Sequence, residues 1–175
     1  MDLEDLAGVA GAGPGATIPA GFKAEEAPNA EEIEMQFAVV AFEQAETYFN
    51  LITAVRPSTL KRLTKFDDEI IEAFTAAFPE LANNDEALKN LNEEEMKSPE
   101  GKKRWREFLM PFDGKVDDYN FGTLIRADCT DDYTQANSIF GLRLQFYAIE
   151  ILRNRRGLND PVYEKAQAEK AANKS

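Results

Sequence analysis

Arg143, Glu150 and Asn154 lie seven and four residues apart, spacings that set a guanidinium, a carboxylate and an amide along one edge of a helix. Such a row does one of two things. Inside a domain it forms an ion-paired network that holds a core helix in register, and at a surface it recognises a partner of mixed polarity. Arg153, Arg155 and Arg156 extend the row into a basic and polar tip. Partners for these charges are expected just upstream, in FDGKVDDYNFGTLIRADC from Phe112 to Cys129. Arg143 should pair with Asp117, Asp118 or Asp128, and Glu150 with Arg126, so that replacing Arg143 by Leu should be costly to stability. Two other charge groups offer less chemistry. Asp67, Asp68 and Glu69 are consecutive and cannot converge on a metal or a substrate, but they suit the positive end of a helix dipole. Lys102, Lys103, Arg104 and Arg106 form a basic run, either a solvated face or a local seat for an acidic partner.

The composition removes whole classes of function. With no histidine in 175 residues, Ser/His/Asp triads, Cys/His pairs and imidazole-ligated metals cannot be built from this chain. A single cysteine, Cys129, excludes an internal disulfide and a multi-thiolate zinc site and suits a reducing compartment. The net charge of -12 argues against sequence-specific nucleic-acid binding, which depends on Lys and Arg against phosphates, and favours a basic partner. The first twenty residues are acidic and Gly-rich without an apolar run, so a cytosolic location away from membranes is expected. Many carboxylates are present, but no spacing selects an acid/base pair, and no cofactor is implied.

The elements that must position the polar row read mainly as α-helix. One compact domain of five to six helices is expected over residues 29–163, after a disordered tail at 1–28 and before a fraying polar end at 164–175. Within the tail, GVAGAGPG has the glycine content of a phosphate loop but follows no strand and lacks the closing Gly-Lys-Ser/Thr. Leu3, Leu6 and Val9 there could form one amphipathic turn on a partner. Asn29 and Glu32 make a capping box for a long helix with Ile33, Phe37, Val40, Ala41, Ala45, Tyr48, Ile52 and Val55 inward, stopped before Pro57. Thr64 and Asp67 make a second box for a helix carrying Ile70, Phe74 and Phe78, which Pro79 ends. Residues 81–97 suggest a short exposed helix and a connection. Ser98 and Pro99 restart helix, with Trp105, Phe108, Leu109 and Phe112 on its inner face. One extended piece is expected near 122–128. The polar row itself belongs to a core helix from Ile139 to Arg156, capped by Asn137 or Ser138 and closed by Gly157, although Phe140 to Phe146 also alternates as a strand would. Asp160 and Pro161 then open a last helix.

Five stretches, EIEMQFAVVAFEQAETYFNLI, LTKFDDEI, KKRWREF, VDDYNFGTLIRADC and RLQFYAIEILRNRRGLND, occur in continuous order over about residues 31 to 160. Together they resemble the eukaryotic family called polysaccharide biosynthesis domain-containing proteins. The resemblance implies a dedicated, ATP-independent cytosolic chaperone. Its client would be the nascent GTPase domain of the translation elongation factor that delivers aminoacyl-tRNA, captured on the ribosome–nascent chain complex with the nascent polypeptide-associated complex as recruiter. It implies no catalytic residue and no cofactor, and a monomer is expected. The client surface would fall on the polar residues of these motifs: Asp118, Asn120, Arg126, Asp128, Arg143, Glu150, Arg153, Asn154 and Arg155. The same residues would serve equally well as internal supports. The Gly/Ala-rich tail before Asn29 and the basic Ala-rich end after Tyr163 lie outside the family pattern. Two other readings stand beside the chaperone: an adaptor that binds its partner after folding as well as before, and, as the family name suggests, a sugar-modifying enzyme, for which the sequence offers no donor-nucleotide site.

Overall fold

The computed structural model describes the backbone of residues 30–174 and the side chains of residues 38–174. The tail readings, the Asn29 box and the inward placement of Ile33 and Phe37 lie outside those residues. Helix α1 runs from Ala30 to Ala54 and halts before Pro57, where Arg56 is extended, as a residue before proline must be. Its contact stripe is narrow. Ala41, Ala45 and Ile52 are buried, whereas Val40 and Val55, expected inside, are 52% and 40% exposed. The supports explain this: α1 rests on one strand, β1 (Gly122–Arg126), and on the final helix α8 (Asp160–Asn173), and two alanines allow a close approach without burying the flanks.

Helix α2 (Asp67–Ala77) starts at the Thr64/Asp67 pair as its spacing implies. The buried Asp67 carboxylate accepts from the Leu63 and Thr64 backbone N–H groups at 2.8 and 2.7 Å and from the Thr64 hydroxyl at 2.8 Å. The segment expected to hold one exposed helix instead holds three short ones: α3 (Pro79–Ala82), α4 (Asp85–Lys89) and α5 (Glu93–Met96). Asn84 and Asn92 cap the last two, and Ala82, Leu88 and Leu91 anchor the segment to the core. Helix α6 (Pro99–Leu109) begins at Ser98, whose hydroxyl accepts from Gly101 N–H at 3.0 Å. It carries Trp105 into an aromatic cluster in which the indole stacks on Phe78 at 4.1 Å and on Phe74 at 5.7 Å.

β1 pairs antiparallel with β2 (Ser138–Leu142), with Ile125 opposite Ile139. Four residues assigned to the core helix by periodicity, Ile139 to Leu142, are therefore strand, and α7 is Arg143–Arg155. The turn into α7 is made by Gln145, whose Oε1 accepts from Leu142 N–H at 2.8 Å. Asn137 does not cap the helix: it closes the β1–β2 loop through Asp128 N–H, Asp128 O and Asp132 O. At the other end the expected stop is present. Gly157 adopts φ +71°, Leu158 N–H reaches Arg153 O at 2.8 Å and Gly157 N–H reaches Asn154 O at 3.2 Å, the paired bonds of a Schellman ending. Helix α8 continues to Asn173, and Gln167 on it donates to Thr53 O of α1 at 3.0 Å. The architecture is thus mainly α, with eight helices and one two-stranded sheet among the described residues.

Candidate partner-binding site

Glu150 is fully buried one turn before Arg153, at the centre of α7, so its charge must be neutralised by protein groups. Its Oε1 lies 3.0 Å from Arg153, and its Oε2 lies 3.5 Å from Arg126 at the end of β1. The Tyr48 hydroxyl of α1 and the Asn159 amide each donate to Oε2 at 2.7 Å. Asn154 completes the ring, accepting from Asn159 at 2.7 Å and donating to Tyr48 Oη at 3.1 Å. Two guanidiniums share this one carboxylate, and backbone carbonyls take up the excess donors. Arg153 donates to Leu88 O, Arg126 O and Ala127 O, and Arg126 to Cys129 O and Asp131 O, all within 3.2 Å. Arg126 Nε is the one buried side-chain polar atom without a hydrogen-bond partner among the described residues; the guanidinium sits 5.7 Å from the Phe49 and Tyr133 rings. Burial opposes ionisation of Glu150, but Arg126, Arg153 and the Tyr48 and Asn159 donors outweigh it and hold the carboxyl below its ordinary range. Burial first, then the adjacent Glu150 charge, push the Tyr48 phenol well above its ordinary value, so it stays a donor.

The pairing expected between Glu150 and Arg126 is therefore present, inside the protein. Arg126, Glu150, Arg153, Asn154 and Asn120 are all buried, and their side chains face protein rather than solvent. These five are interior groups, and none of them presents its side chain at the surface. Sequence reasoning passed over Tyr48 and Asn159, although a tyrosine on an inward helical stripe signals that its hydroxyl needs a partner.

The remaining four candidates reach the surface at three places, with Arg143 and Asp118 together. Asp128 turns back on its own loop, accepting from Thr130 N–H at 2.9 Å and Thr130 Oγ1 at 2.7 Å, bonds that lower its carboxyl below the ordinary value. Arg155 pairs with the exposed Asp68 at 2.8 Å. Arg143 and Asp118 do meet, at 3.2 Å, as the sequence suggested. Around them stands a half-buried corner: Tyr147 Oη donates to Asp118 at 2.8 Å and accepts from Arg143 Nε at 3.3 Å, while Gln44 of α1 accepts from Arg143 at 2.9 Å. The Arg143 N–H donates to Phe121 O at 2.8 Å, which ties in Phe121, a residue 44% exposed. Val40 lies one turn before Gln44 on the same edge of α1. The corner thus combines a charged pair with exposed apolar side chains, the composition of a protein-recognition patch and not of a reactive centre. Among the described residues no cluster of carboxylates or thiols could hold a metal ion, and no helix is long and apolar enough to cross a membrane.

Comparison with known proteins places these features in a family. The PBDC1 protein family matches residues 33–164, which contain both the buried network and the corner. The PBDC1 homolog of Saccharomyces cerevisiae is 56% identical over 139 residues, covering 79% of this chain and 94% of the yeast protein. PBDC1 of Homo sapiens is 46% identical over 144 residues, covering 82% of this chain and 59% of the human protein. Neither name states an enzymatic activity. A solution NMR structure of the Saccharomyces cerevisiae protein yst0336 superposes with a TM-score of 0.72 at 54% identity, covering 83% of this chain and 99% of that one. The matched span holds every polar residue of the network and the corner, and on that match this chain belongs to the PBDC1 protein family.

Proposed function

We propose that this protein is an ATP-independent chaperone that binds the nascent GTPase domain of the aminoacyl-tRNA-delivering elongation factor at the ribosome, with the nascent polypeptide-associated complex as recruiter. The observation that carries the reading is the Arg143–Asp118 corner, where Val40 and Phe121 are exposed and the ion pair is hydrogen-bonded to Gln44 and Tyr147. A holdase requires no reacting group. It requires apolar side chains to cover what an unfinished domain leaves open, and fixed polar groups to set orientation. The chain's net charge of -12 adds long-range attraction to a client that must be basic where it contacts RNA. Release follows when nucleotide-driven folding buries the same client contacts, because only a difference in affinity between client states can drive it.

The test is to capture ribosomes through the tagged protein and sequence their footprints. Footprints concentrated on the elongation-factor message, beginning soon after its GTPase domain leaves the exit tunnel, support the proposal. Scattered footprints together with retention of the mature factor would instead mark an adaptor that binds after folding.

A further inference from the structure

The short helices α3 to α5 do not close fully on α6, and a cleft of about 440 Å³ remains between them, within the size range of ligand pockets. It shares no residue with the Arg143 corner. Its apolar lining is the half-buried Leu81 and Met96, set over the buried Phe78, Leu91 and Trp105. Three carboxylates, Glu80, Glu95 and Glu100, also line it. Arg104 engages Glu80 at 2.6 Å and lies over the Phe78 ring at 4.4 Å, so that charge is answered. Glu95 and Glu100 are exposed and have no cationic partner among the described residues, which leaves the rim negative over an apolar floor. Asn90 and Asn92 add side-chain amides along the cleft, groups able to pair with a peptide backbone. Gly101 keeps the wall thin, since a Cβ there would lie 2.2 Å from Glu95 O.

We infer that this cleft is a second binding site, for a peptide segment that places an aliphatic side chain against Leu81 and Met96, above the buried Trp105, and flanking Lys or Arg side chains against Glu95 and Glu100. Charge complementarity selects this occupant. An acidic or neutral apolar segment would meet the same floor but would desolvate two carboxylates without compensation. The site goes beyond the chaperone reading and does not depend on it.

Trp105 is the sole tryptophan and lies just beneath the cleft wall, so its emission responds to changes in that wall. The probe is the hexapeptide KRLLRK, titrated into the full-length protein. A saturable change in Trp105 emission is expected, at least tenfold weaker for KRSSRK and for the Glu95→Gln/Glu100→Gln double variant, and weakened by salt. Both glutamates are exposed, so the double variant should retain the wild-type melting temperature. Leu81→Arg, which sets a cation in the cleft, should abolish the response. No change in emission up to about 1 mM peptide, a weak limit for any specific contact, would overturn the assignment. So would equal binding by the double variant or by the acidic peptide EELLEE, and so would an undiminished response in Leu81→Arg.

Discussion

Replacing the Glu150 carboxylate by an amide leaves two fully buried guanidiniums with no counter-charge, and this defines the strongest single-residue prediction. Glu150→Gln should destabilise by about 3–5 kcal/mol, the cost of breaking a buried pair from one side, measured by urea unfolding at neutral pH. The pH dependence follows from the direction of the shift. Because its carboxyl is held below the ordinary value of 4.5 in the folded chain, the stability Glu150 contributes is complete above that value and is lost as pH falls through the lower folded one. The Gln variant should therefore lose less stability than wild type across the same acid window, and parallel acid limbs would contradict the role given to Glu150. Arg143 is a different case. Its pair with Asp118 is part-exposed, with side chains 21% and 33% accessible, so Arg143→Leu should cost only about 1–2 kcal/mol in melting experiments, less than the sequence alone suggested. Arg143→Glu, which sets two like charges together, should keep the fold and weaken client capture several-fold. Arg153→Glu cannot serve this purpose, since Arg153 is wholly buried and its reversal would unfold the protein.

At the scale of elements, two glycines act through different physics, and their alanine variants separate the two. Gly157 ends α7 at φ +71°, while a Cβ there would meet nothing closer than Asp160 Oδ2 at 3.6 Å. Gly157→Ala should cost about 1–2 kcal/mol from backbone conformation alone, read as a fall in melting temperature. Gly101→Ala drives a Cβ into the Glu95 and Met96 carbonyls at 2.2 and 2.8 Å, so α5 must move off α6. The loss there should be about 3 kcal/mol, the upper end of overpacking, together with a changed Trp105 emission. The ends of α6 and α7 were legible in sequence because Ser98 with Pro99, and Gly157, act locally. The start of α7 was not legible. Ile139 to Leu142 fit a helical stripe, and only antiparallel pairing with Gly122–Arg126, between residues as distant along the chain as Gly122 and Leu142, turned them into strand.

For the whole molecule, the governing quantity is the net charge of -12. If long-range attraction draws the client, association with its GTPase domain should slow steeply as salt rises from about 0.05 to 0.5 M while dissociation changes little, since screening acts on encounter more than on the formed contact. Stopped-flow mixing measures both. A salt-independent association rate would remove electrostatic attraction from the proposal and leave the apolar side of the corner as its basis.

The sequence by itself determined the helical class, the caps at Ser98 and Gly157, the inward aromatic face of α6 and the pairing of Glu150 with Arg126, and it narrowed the partner of Arg143 to three aspartates, of which the structure selects Asp118. These follow from periodicity, local backbone chemistry and the need of a near-core charge for a counter-charge, none of which requires distant coordinates. Tertiary structure alone decided which of the nine polar candidates are inside. A helical edge looks the same from sequence whether protein or water faces it. Here Tyr48 from α1 and Asn159 beyond α7 close over Glu150 and Asn154, whereas Arg143, held by Gln44, Asp118 and Tyr147, stays part-exposed. The same limit hid the cleft, because its floor and rim come from four short helices whose mutual distance is set by Gly101 and the aromatic cluster.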